Sequence, residues 1–166
     1  MTALIALTLT IHVANIAGVP PAVMRSAQEQ VSRMFNDVGI EITWSTDDHV
    51  LRGDQQAVRL TLVPYETGAL SGAGTVLGAA IPRRPGAGTA WVFYRRVERE
   101  ADRHGVAVAP VLACAVAHEL GHLLQRSPQH TANGVMRKAW SRRDYIRAAG
   151  GRLEFTIEDT LLSLER

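Results

Sequence analysis

The sequence predicts an α+β fold: a twisted mixed sheet of about five strands with an N-terminal helix and a long buried helix, then a small helical C-terminal part. Short runs of alternating apolar and polar residues recur between Leu4 and Tyr94, which is the period of a half-buried strand. One helical pattern interrupts them, and between Gly105 and Gln125 the chain turns almost wholly apolar, as a buried central helix does. Signals for helix starts return only from Ser141 onward. With 166 residues, 46% of them hydrophobic, the chain has enough apolar surface for one core, so residues 1–166 are expected to form a single domain.

Strand one, Leu4 to Val13, carries the alternation Leu7-Thr8-Leu9-Thr10-Ile11-His12-Val13 and leads to Pro20-Pro21, where proline suits the first turn of a helix. Val23, Ala27, Val31, Met34, Phe35 and Val38 recur at helical spacing, and Gly39 is a natural left-handed stop. Ile40 to Trp44 alternates as a second strand and Ala57 to Pro64 as a third, with Val58, Leu60 and Leu62 on one face. A weaker fourth strand, Thr75 to Ile81, precedes a turn predicted at Pro82-Arg83-Arg84-Pro85-Gly86. Ala90 to Tyr94 is a strong fifth. Arg95 to His104 is highly charged, a short exposed helix or loop ending at Gly105. In the next segment Val111, Leu112, Ala115, Val116, Leu120, Leu123 and Leu124 surround the whole helix. Ser141-Arg142-Arg143-Asp144 has the form of a capping box, with Gly150-Gly151 as its stop, and Thr156-Ile157-Glu158-Asp159 repeats the signal before a last helix to about Leu164.

The formal charge of +2 is spread over basic pairs such as Arg83-Arg84 and Arg142-Arg143 rather than gathered in one run, so no nucleic-acid partner is expected. Cys114 is the only cysteine. No internal disulfide and no thiolate zinc finger is possible, and redox argument favours neither a secreted nor a cytoplasmic location. The apolar start lacks a basic n-region, so no signal peptide is evident in this chain. No run reaches transmembrane length, because His12 and Asn15 interrupt the first candidate.

Chemistry concentrates in Ala117-His118-Glu119-Leu120-Gly121-His122. Four residues advance a helix only about 40° past a full turn, so His118 and His122 leave the same face one turn apart. Glu119 is the only permanently charged side chain between Gly105 and Gln125. A carboxylate buried without a partner is costly, and its helical neighbours offer no basic group. One zinc ion held by the two histidines, with a water that Glu119 can reach, resolves the difficulty and makes Glu119 a general base. A catalytic zinc needs three protein ligands and an open position; His130, which follows Pro128 beyond the helix, is the best third. Cys114 is expected to be a small buried thiol, and His12, His49 and His104 have no motif context. Gly121 inside the helix implies that something packs closely there.

With His118, Glu119, His122, His130 and the later Asn133-Gly134-Val135-Met136, the chain resembles the metzincin clan of zinc peptidases. It departs from the usual H-E-x-x-H-x-x-G-x-x-H spacing. Gln125 stands at the glycine place, Pro128 at the place of the third histidine, and His130 lies twelve residues after His118. Small bacterial zincin-like proteins with this longer spacing and a Gly-Ile/Val-Met turn are also similar. The resemblance implies an upper sheet-and-helix subdomain, 1–125, and a lower one, 126–166, in which Met136 forms a Met-turn under the metal. It implies zinc-dependent hydrolysis of a peptide or protein substrate, with Leu77, Gly78 and Ala79 on the cleft rim pairing with an extended peptide. Arg137, Lys138 and Trp140 would shape the pocket for the residue after the cut. Two alternatives stay open: a gluzincin-type peptidase recruiting Glu154, Glu158 or Asp159, and a non-catalytic zinc-stabilised binding module.

Overall fold

A computed structural model describes residues 7–46, 57–66, 77–84, 86–125, 129–156 and Asp159. Among them five strands form one mixed sheet, in the order β2-β1-β3-β5-β4. β1 (Leu7–Asn15) runs parallel to β2 (Ile40–Ser45) on one side and to β3 (Ala57–Val63) on the other. β5 (Ala87–Phe93) is parallel to β3, and β4 (Gly78–Arg84) lies antiparallel to β5 at the edge. The register aligns Ile11 with Val58, Leu60 with Ala90, and Leu62 with Val92. These residues, with Leu9 and Val13, are buried on the inner face of the sheet.

Four helices complete the described fold. α1 (Pro21–Asn36) connects β1 to β2 and begins with Pro21 at its first position. Its buried stripe, Ala27, Val31, Met34 and Phe35, is the one that helical spacing predicts. α2 (Tyr94–His104) follows β5 directly, and α4 (Arg142–Ala149) comes late in the chain. Between them α3 (Val108–Leu124) is buried over nearly its whole surface and packs against α1, α2, α4, β4 and β5. It is the axis of the molecule, and the three candidate residues of the motif lie in its last two turns.

Several boundaries move. β1 continues to Asn15, whereas Leu4 to Ala6 lie outside the described residues, as do Thr75 and Val76. β4 runs through Pro82 to Arg84, where the sequence suggests a turn, with a shift of register between Pro82 and Arg84. Proline is tolerated because an edge strand has a side that needs no ladder hydrogen bond. β5 starts at Ala87 rather than Ala90, and Tyr94 opens α2 instead of closing the strand. The charged stretch to His104 is a helix because Tyr94, Val97 and Ala101, at helical spacing, are buried. Ser141 and Asp144 form the reciprocal cap of α4. The Thr156 backbone N–H donates to Asp159 Oδ2 at 2.6 Å and the Asp159 N–H to Thr156 Oγ1 at 3.3 Å, so the second cap is also made. The rest of that predicted helix lies outside the described residues.

Candidate metal centre and cleft

His118 and His122 leave α3 on one face, with their Nε2 atoms 3.0 Å apart. His130 comes back from beyond the helix, its ring centroid 5.3 Å from that of His118 and 4.8 Å from that of His122. One ligand atom from each lies within 4.8 Å of the others, the one such His/Cys/Asp/Glu cluster among the described residues. Nitrogens on a tetrahedral zinc stand roughly 3.3 Å apart at ordinary bond lengths, so the cluster is close to the size that zinc requires. The helix does not end in glycine: Gln125 is extended (φ −76°, ψ 142°), and its N–H still bonds to the Gly121 carbonyl at 3.0 Å. Residues 126–128, which complete the path to His130, lie outside the described residues.

The tautomer of His118 follows from its partner. Nδ1 is 2.8 Å from the Val135 carbonyl, and a carbonyl only accepts, so Nδ1 carries the proton and Nε2 presents its lone pair to the cluster. The Trp140 indole donates to the same carbonyl at 3.2 Å, and the Val135 N–H donates to the Glu154 carbonyl at 2.9 Å. The Val135 peptide is thus fixed on both sides, by pairings that no residue pattern announces because a backbone acceptor has no residue signature.

His118 and His122 are lowered from 6.5 to about 4, chiefly by burial; His130 contributes to the shift of His118, and His118 and then His130 to that of His122. His130 itself is lowered, by partial burial and then by the Lys138 charge. Burial alone pushes Glu119 up from 4.5 to about 8, with no partner among the described residues moving it. Three neutral imidazoles beside a carboxyl kept from ionising by its surroundings form a site that a divalent cation fits. The imidazole lone pairs would ligate it, and its charge would let the carboxylate form.

Two close approaches explain glycines in the site. A Cβ on Gly121 would collide with Met136 Sδ and stand 3.0 Å from Met136 Cε, so the helix keeps a bare backbone where the fully buried Met136 side chain lies. A Cβ on Gly78 would stand 2.7 Å from Glu119 Cγ and 2.8 Å from its Oε1, so β4 lies directly on the carboxyl. Met136 ends the turn Asn133-Gly134-Val135-Met136, in which Gly134 has φ 77°. The Thr131 N–H closes that turn on the Met136 carbonyl at 3.2 Å.

A cavity of about 120 Å³ opens beside the cluster, lined by Leu77, Ala115, His118, Glu119, His130, Arg137, Lys138, Ala139, Trp140 and Tyr145. Leu77, Arg137, Lys138 and Trp140 are thus brought together on one cavity wall. Gly78 sits behind Glu119, and Ala79, which alternates to the opposite side of β4, does not line the cavity. Ala115 and Tyr145 were missed. Ala115 precedes His118 and Glu119 by three and four residues on one helical face, a signal available from spacing, whereas Tyr145 arrives through the fold of α4. Arg137 Nη1 bonds Asp144 Oδ2 at 2.8 Å, and that oxygen also accepts from the Ser141 N–H and hydroxyl. Of the alternative carboxylate ligands, Glu154 is exposed, Asp159 accepts from Thr131 and Thr156, and Glu158 lies outside the described residues. Neither described carboxylate joins the histidine cluster. Cys114 is fully buried, its thiol pushed up to about 12 by burial. No helix among the described residues is long and apolar enough to cross a membrane.

No protein-family model and no curated protein matches the chain. Solved structures do. Metalloproteinase-II from Bacteroides fragilis superposes over 97% of this chain and 53% of its own, with a TM-score of 0.56 and 15% identity. Archaemetzincin from Methanopyrus kandleri superposes over 96% of this chain and 97% of its own, with a TM-score of 0.55 and 19% identity. The chain spans about half the length of the Bacteroides structure. At these identities the likeness is one of fold: the mixed five-stranded sheet with its helices is the fold of these metalloproteinases.

Proposed function

We propose that this chain is a zinc-dependent peptidase in which His118, His122 and His130 hold one zinc ion and Glu119 is the general base. The observation that carries the reading is the convergence of three neutral imidazoles on a buried carboxyl with no cationic partner among the described residues. The fold shared with two solved metalloproteinases supports it. When bound, zinc supplies a Lewis acid that lowers the pKa of water and polarises a carbonyl.

The chain's own residues do the rest. Glu119, pressed between Gly78 and the helix, takes the proton of the attacking water and delivers it to the leaving amine. Val135 holds His118 in the tautomer that ligates, and Met136 forms the apolar floor of a Met-turn against Gly121. β4 is the rim of the cleft, where its outer edge pairs with an extended peptide across Leu77, Gly78 and Ala79. An open rim of this kind suits an endopeptidase. Residues 1–125 and 126–166 are then the upper and lower walls of a metzincin-like cleft. The cavity by Trp140 receives the residue that follows the cut.

The test is a diverse peptide library treated with zinc-loaded protein and with Glu119→Gln, with metal content measured in both. Cleavage by the first and none by the second, at equal zinc, is the expected result. Failure of the intact zinc form to cut any peptide would leave the non-catalytic binding module in its place.

A further inference from the structure

The cavity beside the histidine cluster has an asymmetry of charge that bears on what it admits. Two cations line it, Arg137 and Lys138. Arg137 is committed to Asp144, whose carboxylate is buried and also caps α4. Lys138 is exposed and makes no hydrogen bond or ion pair within the described residues, while its charge is felt by His130. His118, Glu119 and His130 form the end of the cavity at the cluster, and the wall between them and the two cations is apolar or aromatic: Leu77, Ala115, Ala139, Trp140 and Tyr145. The Tyr145 hydroxyl is directed to Glu100, so it is engaged elsewhere. At about 120 Å³ the space far exceeds the roughly 10–15 Å³ that one water needs, and it accommodates a side chain.

We infer that the cavity selects a carboxylate immediately after the scissile bond and that Lys138, rather than Arg137, is the residue that selects it. This rests on the peptidase reading above. The stem of the incoming residue packs on Trp140 and Ala115, and its carboxylate accepts from the Lys138 ammonium at the cavity mouth. Arg137 holds the wall through Asp144 and leaves the choice of ligand unchanged. The carboxylate has two possible sources, an Asp or Glu side chain within a longer peptide, or the free C-terminus of a peptide cut at its last bond.

Binding to zinc-loaded Glu119→Gln, followed by tryptophan fluorescence or calorimetry, reads this without turnover. The peptides are identical except for Glu, Gln or Leu after the cut, each made as the free acid and as the C-terminal amide, with a further pair ending one residue after the cut. Glu should bind about tenfold or more tightly than Gln, the range for one charge-assisted hydrogen bond, and added salt should shrink the ratio. If the shortest free acid binds well and its amide poorly, the C-terminal carboxylate is the source. If the long peptides discriminate Glu from Gln in both end forms, it is the side chain. Lys138→Ala in the same background should abolish the preference and Lys138→Glu reverse it, both with unchanged melting temperature. Arg137→Gln, checked for folding by circular dichroism, should keep the preference.

Equal binding of Glu and Gln peptides, no saturable binding of either, or a preference surviving Lys138→Glu would overturn the inference. Cleavage without acidic preference would remove it and leave the peptidase intact. Selective binding with no cleavage by the unmutated zinc form would do the reverse.

Discussion

Replacing Glu119 by glutamine should flatten the pH dependence of stability of the metal-free protein. The side chain is 6% exposed, and burial raises its pKa from 4.5 to about 8. Between those values the unfolded chain holds fewer protons than the folded one, so stability falls as pH rises. The contribution is fully present below pH 4.5 and lost as pH passes through about 8. At about 1.36 kcal/mol per pH unit of differential protonation, moving from pH 5 to pH 9 costs the native carboxyl about 4 kcal/mol. Urea denaturation of both proteins in the presence of chelator supplies the assay, since the histidine and other titrations cancel in the difference between them. That difference should move by about 4 kcal/mol in favour of Glu119→Gln over this range, and saturating zinc should remove most of the movement by stabilising the carboxylate. Parallel stability curves for the two metal-free proteins would refute the reasoning, because Glu119 would then have a compensating partner.

Other consequences concern the turn beneath the histidines. Gly121→Ala gains about 1 kcal/mol of helix propensity but drives a methyl group into Met136, which costs about 1–3 kcal/mol, so a net loss of up to about 2 kcal/mol is expected. Thermal melts should also show that adding Met136→Ala costs less in this background than alone. Trp140→Phe removes one of two donors to the Val135 carbonyl. It should weaken zinc binding about tenfold in a chelator competition while leaving the far-ultraviolet spectrum unchanged. Acid should release zinc as protons compete for the imidazoles. With His118 and His122 lowered to about 4, half-loss should fall well below the ordinary histidine range, and a midpoint near pH 6.5 would count against it.

Much of the fold was legible because its signals are local. Alternation in β1, β2 and β3, the stripe of α1 and the apolar circumference of α3 each correspond to a buried surface. The misplaced boundaries have tertiary causes: β4 passes through Pro82 because it is an edge, and α2 is a helix because three spaced residues bury in an otherwise charged segment. In the site, the four-residue spacing of His118 and His122 foretold that they leave α3 on the same face. The reason for Gly121 was not legible, since its neighbour Met136 is brought there by the fold. Arg137 and Lys138 look alike in sequence, and only the cap of α4 separates them: the Ser141–Asp144 pattern was visible, but not that Asp144 also holds Arg137.

Three histidines sharing one ion are the centre of the proposed mechanism. Diffraction from a zinc-loaded crystal on both sides of the zinc absorption edge would locate that ion directly. One anomalous peak is predicted, bonded to His118, His122 and His130 with Glu119 near but not ligating. A peak that excludes His130 and takes in Glu154, Glu158 or Asp159, or a peak away from α3, would contradict it.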